Sequence, residues 1–123
     1  MPKIMKNGIE YGGGGESEIV LFGTLTMTNG AAVEGYITNN SIDIQNYKYL
    51  MVGYTATNGQ IWYYTPLYSI SAINYAVKDN GWRFYLNGGG GKIQPDDRTL
   101  SHSIYMAFDA NTGYRKANVF LVR

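Results

Sequence analysis

Ile44-Gln45-Asn46-Tyr47-Lys48-Tyr49-Leu50-Met51-Val52-Gly53-Tyr54 is the stretch whose reading decides the fold. It combines β-branched, aromatic and aliphatic residues and is bounded by polar, turn-prone sequence, which is the signature of a strand. A strand over Lys48 to Thr55 puts Leu50, Val52 and Tyr54 on one face and Tyr49 and Met51 on the other. A strand apolar on both faces cannot sit at a solvated edge. It must be central, or covered by a second layer or another subunit.

Towards the N-terminus, Val33 to Thr38 reads as a short strand, and Asn39-Asn40-Ser41 as a loop leading to Ile42 and Ile44. Asn29-Gly30 suits a tight turn. Glu18 to Thr28 alternates, with Ile19, Leu21, Leu25 and Met27 on one face, and Val20, Phe22 and threonines on the other. Gly23 marks a bulge or a close approach of two backbones. Gly12-Gly13-Gly14-Gly15 has no side chains to pack and predicts a flexible joint. Glu16 follows it, where a phosphate-cradling loop would need lysine and a hydroxyl residue. Residues 1–15 therefore read as an arm and linker, and residues 16–123 as one domain.

Towards the C-terminus, Thr57-Asn58-Gly59 predicts a hairpin whose return strand is Ile61-Trp62-Tyr63-Tyr64-Thr65, with Pro66 as a break, an edge or a bulge. Leu67 to Val77 continues as extended chain. Asp79-Asn80-Gly81 turns into a strand with Trp82, Phe84 and Leu86 on one face, which assigns Trp82 to the core. Gly88 to Gly91 is a second glycine loop; Gly91-Lys92 imitates the end of a P-loop, but Ile93 replaces the hydroxyl residue and Leu86 the first glycine. Pro95-Asp96-Asp97 forms a turn. His102 to Asp109 alternates Ile104, Met106 and Phe108 against Tyr105 and Ala107, Asn111-Thr112-Gly113-Tyr114 turns the chain, and Ala117 to Arg123 closes it as a strand. About eight short strands with regular turn signals and no helix predict an all-β, antiparallel β-sandwich of jelly-roll-like type, with a closed barrel as the alternative.

Composition narrows the function. A chain of 123 residues can bury roughly two-thirds of its unfolded surface in one domain. Cysteine is absent, which removes disulfides and thiolate chemistry, and ten basic residues against nine acidic ones give no pull toward nucleic acid. The single basic-aromatic cluster is Tyr114-Arg115-Lys116. Charged residues make up only 15% of the chain while tyrosine occurs 12 times and glycine 16 times, so part of the surface is expected to be hidden in an assembly. Met1 to Gly8 lacks the apolar core of a signal peptide, and no apolar run approaches the roughly 20 residues that span a membrane, so no membrane insertion is expected.

No catalytic constellation emerges, and no cofactor is implied. His102 is the one histidine and reads as structural. A serine hydrolase would need an elbow motif and a choice of base. Carboxylates at Asp96-Asp97 read as solvated turn charge rather than a glycosidase pair. Zinc is disfavoured by the residue types, and calcium at Asp79 or at Asp96-Asp97 would lack the EF-hand pattern. What remains is aromatic surface. Trp62, Tyr63, Tyr64, Tyr68 and Tyr114, with Arg115, are the ligand-binding candidates, because rings beside polar groups hold the apolar faces and hydroxyls of sugars. Alternation forces at least one ring of Trp62-Tyr63-Tyr64 outward, to a ligand or to a subunit interface.

Two segments carry a resemblance. Pro2-Lys3-Ile4-Met5-Lys6-Asn7-Gly8-Ile9-Glu10-Tyr11-Gly12 resembles the start of short structural proteins of phages and prophages of Gram-positive bacteria. The stretch from Ile44 to Tyr54 resembles a strand of their tail-fibre-like sandwich domains. The resemblance covers about half of the chain and its motifs are structural, so no site residue carries over. It implies the head of a homotrimeric fibre, located in the virion tail after assembly in the host cytoplasm, that meets other tail proteins and attaches to a bacterial surface glycan. No shaft or repeat is expected before the sandwich, which leaves a fibre tip and a small separate decoration as alternatives. A free-standing carbohydrate-binding or lectin-like module is the second expectation, and a small glycosidase the third.

Overall fold

A computed structural model describes residues 4–6, 9–11, 18–28, 30–56, 58–87, 90–109 and 113–123, with the backbone alone for the first two segments. The glycine joint at 12–15 and parts of the expected turns at 29, 57, 88–89 and 111–112 lie outside the described residues. Near the N-terminus, β1 (Ile4–Lys6) and β2 (Ile9–Tyr11) pair antiparallel.

The remaining strands are β3 (Ile19–Thr26), β4 (Val33–Thr38), β5 (Tyr49–Thr55), β6 (Ile61–Tyr64), β7 (Tyr68–Ser69), β8 (Phe84–Tyr85), β9 (Lys92–Ile93), β10 (Ser103–Phe108) and β11 (Lys116–Val122). They form two antiparallel sheets. One runs β3-β11-β5-β6, with β7 also paired to β5, and the other runs β4-β10-β9-β8. The fold is thus an all-β sandwich, as the turn spacing predicts. Among the described residues, no helix is long and apolar enough to cross a membrane.

β5 is central, between β11 on one side and β6 and β7 on the other. Its Leu50, Val52 and Tyr54 are fully buried, opposite Leu121, Val119 and Ala117 of β11. Each large aliphatic side chain so buried contributes on the order of 2 kcal/mol. Ile104, Met106 and Phe108 of β10 close the core from the other sheet, and the Phe108 ring meets Tyr54 edge-on with centroids 5.8 Å apart. Upstream of β5, Ile44–Asn46 is a 3-10 turn rather than strand, capped by the Asp43 carboxylate, which accepts from the Gln45 N–H.

Three sequence expectations are corrected. Leu67 to Val77 is not extended beyond β7: Ile70–Asn74 is a helix (α1), and Tyr75–Asp79 continues it with wider π-type turns. Ile70, Ile73 and Val77 are buried at helical spacing, and the Ser69 hydroxyl caps the start by accepting from the Ala72 N–H at 3.2 Å. Trp82 is not core. Its N–H donates to the Ala76 carbonyl that ends the helical segment, the next strand starts only at Phe84, and the indole is 58% exposed beneath the Arg83 guanidinium. Finally, β3 does not keep one alternation. Gly23 pairs with Val119 and Leu21 with Phe120, so Phe22 is the extra residue of a bulge. Beyond it the phase inverts: Ile19, Leu21, Thr24 and Thr26 share the outer face, while Val20, Gly23 and Leu25 face inward and Phe22 and Met27 are buried.

Candidate binding surfaces

Five of the six residues singled out from sequence divide into two groups. Tyr63 and Tyr114 both stack on Tyr54, at centroid distances of 6.2 Å and 4.8 Å. Tyr68 meets Phe84 edge-on at 5.4 Å, and its hydroxyl accepts from the Asn87 N–H. These three rings pack against the core. Burial, then the neighbouring tyrosines, pushes the Tyr54 hydroxyl far above its ordinary range. Trp62 and Tyr64 are the outward rings, 62% and 51% exposed. Trp62 is the extra residue of a bulge in β6, opposite the step from Tyr54 to Thr55, and a bulge re-aims the side chain it carries. Arg115 lies apart from both, in a shallow depression of about 310 Å³ with Lys116, Thr55 and Asn118.

The registers place Tyr64 within a larger surface, the outer face of the five-stranded sheet. Ile19, Val122 and Tyr49 form one cross-strand row, and Leu21, Phe120 and Met51 the next. The Tyr64 ring lies 6.2 Å from that of Phe120, across Gly53. A Cβ at Gly53 would come within 3.1 Å of both rings and 3.2 Å of Ile61, so the glycine lets the apolar side chains close over the backbone. Asn118 bounds the patch, accepting from the Thr24 hydroxyl and donating to the Gly53 carbonyl. A contiguous apolar patch on an exposed sheet face is often functional.

The outer face of the four-stranded sheet is the opposite in character. Glu34, Tyr36 and Thr38 of β4 stand beside Ala107, Tyr105 and Ser103 of β10, with Lys92 of β9 next to Ala107. The Tyr36 and Tyr105 rings stack at 4.6 Å. The Tyr36 hydroxyl donates to the Asp96 carboxylate and the Tyr105 hydroxyl to that of Glu34. The Arg98 guanidinium lies 4.0 Å over the Tyr36 ring, while the Thr38 and Ser103 hydroxyls bond at 2.8 Å and Lys92 pairs with Asp109 at 3.1 Å. The phenol of Tyr36, followed by the Arg98 N–H, holds the Asp96 carboxyl below the usual carboxylate range. The bond to Glu34 pushes the Tyr105 phenol up to about 12.

Sequence reading missed this cluster. It assigned Asp96 to a solvated turn and put Tyr36 and Tyr105 on separate strands. Alternation alone turns both rings outward, but only the β4–β10 register makes them neighbours. His102 is structural, its Nδ1–H donating to the Ile42 carbonyl at 2.8 Å. Among the described residues no three acidic or histidine side chains converge to hold a metal ion. Compared with known protein families, curated proteins and solved structures, the chain matches none.

Proposed function

We propose that this chain is a non-enzymatic, tail-fibre-like structural protein of a phage or prophage, whose sandwich assembles as a trimer and attaches to a bacterial surface glycan. One observation carries the assembly half: the outer face of the five-stranded sheet presents Ile19, Leu21 and Tyr64 half or more exposed, contiguous with Tyr49, Met51, Phe120 and Val122. An apolar sheet face in a chain of only 15% charged residues is well suited to burial against further copies, because dispersion and dehydration gains there need no matching of charges. The resemblance of the opening segment and of the β5 region to phage structural proteins supports the biological setting, and tail genes beside this one would support it independently.

Light scattering on the purified chain at tens of micromolar tests the assembly. The expected mass is three times the 13.7 kDa of the chain. Leu21→Glu places a charge on the exposed patch with little cost to the fold, and it should shift the mass to that of the monomer. A wild-type monomer overturns the trimer and favours the free-standing lectin-like module.

A further inference from the structure

We infer that the outer face of the four-stranded sheet is a binding strip for a linear, uncharged oligosaccharide; this rests on the glycan-attachment half of the reading above and gives it a location. Two shallow depressions, of about 250 Å³ and about 320 Å³, flank the Tyr36–Tyr105 pair. The first has Ala107 in its lining, with Glu34, Lys92, Gln94 and Asp109 beside it. The second is lined by Arg98, Ser103 and His102, among others. Tyr105 lies two residues from Ala107 on the same face of β10, about 7 Å along the strand. The result is a row of small wells separated by rings, which suits a chain of repeating units better than one compact ligand.

The chemistry of the strip selects the class. Lys92 faces Asp109 at 3.1 Å and Arg98 faces Asp96 at 3.8 Å, and with Glu34, Asp97 and Lys78 the strip sets four carboxylates against three cations, so neither sign of charge on a ligand is strongly drawn to it. The carboxylates of Glu34 and Asp96 each accept one phenolic hydrogen, Asp96 also the Arg98 backbone N–H, and Glu34 above all keeps further lone pairs for hydroxyl donors. Gln94 offers a donor and an acceptor in one group, and the partly exposed Tyr105 ring offers apolar contact, whereas the Tyr36 ring is held between Tyr105 and Arg98. Sugars present this mixture of hydroxyls and C–H faces. Phenols, ring stacking and ion pairs hold the side chains in place, so binding would cost little additional rotamer freedom.

Backbone amide shifts of the full ¹⁵N-labelled chain, titrated with millimolar chitotriose, cellotriose and maltotriose, test the site. Shifts at amides of β4, β9 and β10 are expected with at least one of the three. Glu34→Gln and Gln94→Ala should each weaken that binding roughly ten-fold, while Trp62→Ala leaves it unchanged. Shifts centred on Trp62 to Tyr64 overturn this site but leave glycan attachment standing. No shifts with any of the three overturn the site and its ligand class together. Light scattering on the same samples reports on assembly separately, so the two readings fail independently.

Discussion

Thr65 holds the end of the β5–β6 pairing through its side chain together with one backbone bond. Its hydroxyl accepts from the Val52 N–H and donates to the Pro66 carbonyl, each at 2.9 Å, while its own N–H donates to the Val52 carbonyl at 2.9 Å. The residue is buried, so Thr65→Val, equal in shape, leaves the Val52 N–H unpartnered at a cost of about 1–3 kcal/mol. Urea unfolding should show a lower midpoint with an unchanged slope; an unchanged midpoint would remove this role from the hydroxyl. The sequence marks Thr65 only as a strand end before proline, because its partner is set by a pairing between strands. Tyr105 gives a second test at this scale. Its folded value of about 12 lies above the ordinary tyrosine value of about 10. The protonated form is therefore favoured by folding, and the contribution is present below pH 10 and lost as pH rises through about 12. Since the bond to Glu34 is the main cause, Glu34→Gln should bring the Tyr105 phenolate titration back toward about 10, followed by the tyrosine absorbance or by NMR.

Among the elements, β3 shows how one inserted residue governs a face. The bulge at Phe22 lets Ile19 and Leu21 point to solvent while Phe22 itself enters the core. Gly23 beside it admits Ile37 from the facing sheet: a Cβ there would sit 2.3 Å from the Ile37 Cγ2. Gly23→Ala forces backbone or Ile37 to move within the core and should cost about 1–3 kcal/mol, read as a lower denaturation midpoint. A neutral result would mean that the two sheets can separate there freely. The glycine signalled the irregularity in sequence, but not how the faces reassort beyond it. The strands at 33–38, 49–55, 61–64, 103–108 and 116–122 were legible because alternation and turn residues agree. The helix at Ile70–Asn74 was not, since a five-residue helix shows barely more than one period. Ser69 before it and Gly81 after it, at φ 64°, were its only punctuation.

At the scale of the molecule, the sequence predicts two layers but not which strands share one. β3 and β11 are neighbours, as are β4 and β10, and these pairings span most of the chain. They decide that aliphatic and aromatic side chains collect on one outer face, while phenols, carboxylates and hydroxyls collect on the other. The aromatic candidates named from sequence fell on both sides of the core boundary, because exposure depends on the bulge in β6 and on what stacks against Tyr54. An assembly through the apolar face should be insensitive to added salt in the light-scattering test, since no charge pair is needed to hold it.

The two outer faces look in opposite directions across one shared core. Burying the five-stranded face in an assembly therefore leaves the other face in solvent on every copy. A surface polymer would meet several identical weak sites at a fixed spacing, and attachment becomes a matter of avidity. Simultaneous engagement can tighten holding by roughly 10²–10⁴-fold with no new contact. Each site can then stay weak enough to release and re-bind, so that an attached particle could move over a surface while remaining held to it.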